Sequence, residues 1–95
     1  MAREAETTQT VQRAVGLRVR ELRRARGMTQ ETMAEKLGML APNYARIEQG
    51  RQNVTLDTLV RIARALATRT AELFRSPRHT KVRTGRPPKG GRASG

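Results

Sequence analysis

Among the side chains of this protein that could take part in chemistry, arginine is the most frequent. The 95 residues include 20 Lys and Arg against 8 Asp and Glu, which leaves a formal charge of +12. Cationic groups at this density attract polyanions, so the composition favours nucleic acid over an acidic small molecule as partner. The carboxylates form no pair beyond Glu31 and Glu35, an ordinary helical face, and the lone His79 has no second ligand or base beside it. We therefore expect no enzyme activity, no metal site and no cofactor.

Compartment signals in the sequence are few. There is no cysteine, so disulfides and thiolate metal sites are excluded. The first residues, MAREAETTQT, lack the apolar run of a signal peptide, and no window approaches the roughly 18 apolar residues that span a bilayer. We expect a cytoplasmic, nucleoid-associated protein without membrane contact.

Composition divides the chain into three parts. Residues 1–11 are polar and are expected to form a flexible segment, although the first helix could extend back into residues 1–10. Residues 12–75 carry the apolar residues, and a chain of 95 residues has room for one modest domain. Residues 76–95 hold six basic residues and no acidic one among Gly, Pro and Ser. Such a tail buries too little apolar surface to offset its ordering entropy, so we expect it to be disordered.

The central part shows apolar residues at helical spacing, punctuated by Gly27, Gly38 and Gly50. Glycine tolerates the left-handed conformation that ends helices, so these positions are predicted helix stops. The pattern predicts helices over about 12–26, 29–38, 41–49, 56–66 and 70–75, and no segment has the period-two alternation of a strand. The expected fold class is all-α, a five-helix orthogonal bundle.

Each predicted helix offers apolar residues to one core. The expected core residues are Val15, Val19, Leu22, Met33, Ala34, Leu37, Tyr44, Ile47, Leu56, Leu59, Ala63, Leu66, Leu73 and Phe74. Arg18, Arg20, Arg24 and Arg26 are expected to be mostly solvated. Thr29 is a good N-cap for the second helix. Leu40 is a poor N-cap for the third helix, so the start of that helix could shift by one residue. The second helix, the turn of residues 38–40 and the third helix have the proportions of a helix-turn-helix.

A family resemblance covers about residues 15–75, in the segments GLRVRELRRARGMTQETMAEKLGM, PNYARIEQGRQNVTLDTLVRIARALAT and AELF. Its most specific pieces are Arg18 and Arg23, residues 28–30, Ala34 with residues 37–38, and residues 47–50. Together they resemble the phage-repressor and Cro-type, or XRE-like, helix-turn-helix regulators. The resemblance implies a lambda-repressor-like fold and a sequence-specific, repressor-like transcription regulator that binds double-stranded DNA. We expect a homodimer on paired operator half-sites.

Other functions stay open beside this one. The same fold serves antitoxins and the controller proteins of restriction-modification systems. It could also serve an architectural DNA binder, or a protein-interaction module in which DNA affinity is incidental.

The resemblance also implies that the third helix lies in the major groove. Base reading then falls to Ala41, Pro42, Asn43 and Arg46. Arg46 can donate two hydrogen bonds to a guanine, or it can only contact a phosphate. Asn43 can form two hydrogen bonds with an adenine, or it can only cap the helix and face solvent. Ala41 and Pro42 can at best contact a thymine methyl.

Phosphate contacts are expected on either side of the third helix. Thr29 and Gln30 begin the second helix, where backbone N–H groups favour an anion, although Gln30 could instead point into water. Arg51 and Asn53 resemble a second phosphate clamp. The resemblance pairs Arg23 with Glu48 as a structural ion pair.

The basic tail contains RTGRPPK, residues 83–89, which resembles the AT-hook. Thr84 stands where the hook has arginine. Arg83, Arg86 and Lys89 could therefore enter a narrow minor groove, or only add salt-dependent nonspecific affinity.

Overall fold

The computed structural model describes residues 6–78, so predictions for residues 1–5 and 79–95 lie outside it. Its elements are α1 (Thr8–Ala25), α2 (Gln30–Leu37), α3 (Ala41–Glu48), α4 (Leu56–Ala65) and a 3₁₀-helix (Thr70–Phe74). No strand occurs in residues 6–78. The all-α prediction is confirmed for this region, but the fifth predicted helix is a 3₁₀-helix.

α1 begins at Thr8, four residues before the predicted start at Gln12. Thr7 and Thr10 explain the difference. The Thr10 N–H donates to Thr7 Oγ1 at 3.0 Å, and the Thr7 N–H donates to Thr10 Oγ1 at 2.9 Å. This reciprocal capping satisfies two otherwise orphan donors, so residues expected to be flexible start the helix.

Two glycines set the geometry around α2 and α3. Gly38 ends α2 at a φ of +67°, and the turn that follows leads directly to Ala41, the predicted start of α3. Gly50 has a φ of +72° and packs so closely that a Cβ there would lie 2.6 Å from the Arg13 Cα. The predicted helix stops are therefore confirmed, and Gly50 also lets the loop after α3 touch α1.

The core follows the predicted stripes with three exceptions, one of which is Ile62, a fully buried residue that the sequence analysis did not include. The buried hydrophobic residues are Val15, Val19, Leu22, Met33, Ala34, Leu37, Tyr44, Ile47, Leu59, Ile62, Ala63, Leu66 and Leu73. The prediction was wrong for Leu56, which is 73% exposed, and for Phe74, which is 52% exposed. Leu56 is the first residue of α4. In a 3₁₀-helix neighbouring residues point about 120° apart, so burying Leu73 turns Phe74 outward.

α2 and α3 are held from two sides. A Cβ on Gly16 of α1 would lie 2.5 Å from the carbonyl oxygens of both Ile47 and Glu48, so α1 touches the backbone at the end of α3. At the end of α2, Arg61 Nη2 of α4 donates to the Leu37 carbonyl at 2.7 Å. These contacts hold the end of α3 against α1 and the end of α2 against α4.

Arg18 is not solvated, contrary to the sequence prediction. Its Nε donates to the Glu72 carbonyl at 2.9 Å, and its Nη1 donates to Glu21 Oε1 at 2.9 Å. A third bond joins Nη2 to Glu72 Oε1 at 3.2 Å. Arg18 thereby ties α1 to the 3₁₀-helix. Residues 76–78, assigned to the tail, also reach α1, because the Arg78 N–H donates to Glu21 Oε2 at 2.8 Å.

Candidate nucleic-acid interface

α3 separates its residues into an inner and an outer face. Tyr44, Ile47 and Glu48 are buried on the inner face. On the outer face Pro42 and Arg46 are exposed and Asn43 is half-buried, whereas Ala41 is half-buried and packs against the core. Arg46 Nη1 donates to Asn43 Oδ1 at 3.4 Å, a long bond between exposed groups. Three of the residues predicted to read bases, Ala41, Pro42 and Asn43, thus lie in the first turn of α3. Arg46 lies in its last turn, where its side chain contacts Asn43.

The start of α2 lies beside this face. Thr29 is the N-cap, since the Thr32 N–H donates to Thr29 Oγ1 at 3.0 Å, as predicted. Gln30 has a partner that the sequence analysis missed: its Nε2 donates to Glu48 Oε1 at 2.9 Å. Gln30 is therefore held on α3 rather than pointing into water, and one amide N–H is already occupied.

Arg23 and Glu48 form a two-pronged ion pair between α1 and α3. Arg23 Nε donates to Glu48 Oε2 at 2.6 Å, and Arg23 Nη2 donates to Glu48 Oε1 at 3.2 Å. The two side chains are only 9% and 2% exposed. Arg23 Nη1 also donates to the Met28 carbonyl at 2.7 Å, just before α2 begins. One guanidinium thus joins three segments of the fold.

The charges of this cluster are set by burial and hydrogen bonds together. Burial alone would raise the pKa of Glu48, but the hydrogen bonds from Arg23 and Gln30, helped by the nearby Tyr44 hydroxyl, outweigh it and leave that pKa below its ordinary value. The bond to Glu48 raises the pKa of Arg23. Burial, followed by the neighbouring Glu48, raises the pKa of Tyr44. The Tyr44 hydroxyl lies near these charges, but within residues 6–78 it has no partner in good hydrogen-bond geometry.

The loop after α3 presents the second predicted clamp. Arg51 and Asn53 are both exposed there, and Arg51 Nη1 makes one long bond, 3.3 Å, to Gln49 Oε1. The tail residues Arg83, Arg86 and Lys89 lie outside the described residues. In the described part of the chain no cluster of metal-ligating side chains is present, and no helix is long and apolar enough to cross a membrane.

A groove along α1 was not anticipated from the sequence. It has a volume of about 720 Å³. Three exposed arginines of α1, Arg13, Arg20 and Arg24, line it together with the buried Arg23 and with Thr29 and Gln30 of the α2 start. Their helical spacing is visible in the sequence, but the opposite wall of the groove comes from elements later in the chain.

Comparison with known proteins identifies the fold. A family model described as a helix-turn-helix domain matches residues 14–75. The chain belongs to the helix-turn-helix family. An uncharacterised HTH-type transcriptional regulator of Archaeoglobus fulgidus is 39% identical over 57 residues, 60% of this chain and 81% of that protein. A second such regulator, from Sinorhizobium fredii, is 35% identical over 63 residues, 66% of this chain and 82% of that protein.

Solved helix-turn-helix structures agree. The restriction-modification controller protein C.AhdI from Aeromonas hydrophila has 38% identity and a TM-score of 0.64, covering 66% of this chain and 96% of its own. The clp gene regulator ClgR from Corynebacterium glutamicum has 25% identity and a TM-score of 0.65, and the match covers 66% of this chain and 67% of the ClgR chain. These matches confirm the predicted XRE-like family. This helix-turn-helix protein is a DNA-binding transcription regulator.

Proposed function

We propose that this helix-turn-helix regulator binds operator DNA sequence-specifically, with α3 in the major groove, and represses transcription there. The observation that carries the proposal is the outer face of α3, where Asn43 and Arg46 have donors in excess of their one mutual bond. Side chains near the N-terminal end of a groove-docked helix reach base edges. The domain acts in this proposal by binding alone, without catalysis.

Base selection rests on two residues of the outer face. Arg46 is exposed and can offer a guanine two parallel hydrogen bonds, while Asn43 can do the same for adenine. Their 3.4 Å bond is weak enough to be exchanged for bases. Ala41 and Pro42 offer only apolar surface, so they can contact a thymine methyl.

Phosphate contacts would orient α3 in the groove. Thr29 and the remaining N–H of Gln30 stand at the positive end of α2, and Arg51 and Asn53 stand in the loop beyond α3. Gln30 has a double role in this scheme. Its bond to Glu48 fixes the α2 start against α3, so the phosphate contact and the base contacts are set by one rigid unit.

A homodimer would place two such units on paired half-sites. Leu56 and Val60, one turn apart on α4, are 73% and 40% exposed, and Phe74 is also turned outward. Leu73 fills the core, so it is not available for a partner. Large exposed apolar side chains on a small domain favour an isologous contact through this surface. Leu56→Lys should then shift the protein to monomers in sedimentation, whereas Leu40→Lys, at an equally exposed leucine, should not.

A restriction-modification controller is the second candidate. It is favoured by the 38% identity to C.AhdI over 96% of that protein. A methyltransferase reading frame next to this gene would support it, and a toxin reading frame would support an antitoxin instead.

Selection from random-sequence duplexes at near-physiological salt tests the main proposal. The full chain should enrich a palindrome with two defined half-sites. Arg46→Ala should relax one position in each half-site by about 1–3 kcal/mol. Arg64→Ala, which removes an exposed arginine from α4, is the matched control and should leave the motif intact.

Failure would be equally informative. If the full chain selects no motif, an architectural DNA binder or a protein-interaction module replaces the operator reader. Replacing Arg83, Arg86 and Lys89 by glutamine in the same selection separates the tail from the domain. Loss of all binding in that variant would assign affinity to the tail.

A further inference from the structure

We infer that Arg13, Arg20 and Arg24 of α1 form a third phosphate-binding surface, which follows the DNA backbone between the two clamps proposed above. We call these three residues the α1 stripe. The inference rests on the proposed function, because it assumes that α3 docks in the major groove.

The α1 stripe is a single line of charge. Arg20 and Arg24 follow Arg13 by 7 and 11 positions, so at 3.6 residues per turn each lies within about 20° of Arg13 around the helix. All three side chains are exposed. With a rise of 1.5 Å per residue the stripe is about 16 Å long. A line of charge of this length can contact several successive phosphates of one DNA strand.

The two ends of the stripe meet the two proposed clamps. At the α2 end, the stripe and Thr29 with Gln30 line the same groove. At the other end, Gly50 packs directly on the Arg13 backbone, and Arg51 is the next residue. The stripe therefore bridges the α2 start and the loop after α3.

The stripe arginines also lack the partners that other arginines of α1 have. Arg18 and Arg23 are held by carboxylates. Within residues 6–78, by contrast, no carboxylate pairs with a stripe arginine. The groove contains two carboxylates, but Glu48 is already neutralised by Arg23, which leaves Glu31 against the three cations of the stripe. Such an excess of positive charge in one groove is relieved by a polyanion.

The salt dependence of binding tests this surface. The full chain carrying Arg13→Gln, Arg20→Gln and Arg24→Gln is compared with wild type on the selected operator and on a random duplex. The slope of log K against log salt should become shallower by about 0.9 for each phosphate that the variant no longer neutralises, and both duplexes should lose affinity equally. The selected motif should not change, because the stripe touches no base.

The matched control removes the same charge elsewhere. Arg64→Gln, Arg69→Gln and Arg75→Gln take three exposed arginines from α4 and from the two ends of the 3₁₀-helix, none of which lines the groove. This variant should keep a slope near that of wild type. Circular dichroism should show both triple variants folded, since all six side chains are on the surface.

Two results would overturn the inference while the proposed function stands. One is a stripe variant whose salt slope and affinity match those of the control variant. The other is a stripe variant that selects a different motif, which would assign these arginines to base reading. Failure of the proposed function is seen separately, because the wild-type chain would then select no motif at all.

Discussion

The two faces of α3 use charged side chains in opposite ways. Glu48 on the inner face is 2% exposed and accepts bonds from both Arg23 and Gln30. Arg46 on the outer face is exposed and has one bond of 3.4 Å to Asn43. A buried charge must be satisfied inside the protein, whereas an exposed donor can remain available for a partner. One short helix can therefore serve the fold and recognition at once.

The contrast can be tested by the free energy of unfolding. Variants of the inner face, and of the α1 residues that support it, should destabilise the protein. Variants of the outer face should change DNA recognition alone.

Glu48→Ala should have the largest effect. It leaves the Arg23 guanidinium buried without its carboxylate, which costs about 3–5 kcal/mol. Urea unfolding measures the change, with exposed Glu35→Ala as control. The double variant Arg23→Met, Glu48→Leu should recover much of the loss, because no charge is left uncompensated. A loss below about 1 kcal/mol in Glu48→Ala would contradict the inner-face assignment.

Gly16→Ala should destabilise by about 1–3 kcal/mol, although alanine is the better helix former by up to about 1 kcal/mol. The new Cβ would sit 2.5 Å from the carbonyl oxygens of Ile47 and Glu48, and backbone cannot rotate away as a side chain can. Ala14→Gly, at an exposed position of α1, measures the difference in helix propensity between alanine and glycine without any packing effect. If Gly16→Ala stabilises the protein, α1 does not approach α3 this closely.

Acid should weaken the inner face to a smaller extent, since protonated Glu48 still fills its space. Its folded-state pKa lies below the ordinary 4.5, so the unfolded chain binds the proton first. The stabilisation is present above pH 4.5 and is lost as the pH falls through the folded-state pKa. Urea unfolding across this range should show a steeper decline for wild type than for Glu48→Gln. Equal slopes would mean that Glu48 does not contribute.

Arg46→Ala should change the unfolding free energy least, by no more than about 0.5 kcal/mol, because its side chain is exposed and weakly bonded. Thermal unfolding of the same preparation used for duplex selection provides the measurement. A clear destabilisation would erase the contrast between the two faces and would make any DNA-binding defect of this variant ambiguous.

Local sequence signals predicted most of the fold. Helical periodicity and Gly27, Gly38 and Gly50 marked four helices and their ends, because capping and apolar spacing act within a few residues. The sequence left the start of α1 open, because Thr7 and Thr10 are an unusual capping pair, two threonines in place of a threonine and a glutamate. The 3₁₀ form of the last helix was missed because a single turn carries too little periodicity.

For the candidate site as well, the sequence indicated some features and missed others. The family resemblance pointed to the outer face of α3, to the Thr29 cap and to the Arg23 and Glu48 pair. It gave no sign that Gln30 would bond to Glu48, or that Arg18 would be enclosed by Glu72, since these partners are 18 and 54 positions apart.

The sequence alone therefore determined the helices, their buried stripes and the family of this protein. Tertiary structure alone decided that Arg18 pairs with Glu72 and that Gln30 bonds to Glu48. It also decided how the α1 stripe, the α2 start and the loop after α3 meet along one groove. The physical reason is range: helix formation and capping depend on neighbours in the chain, whereas the partner of a charged side chain depends on the packing of distant helices.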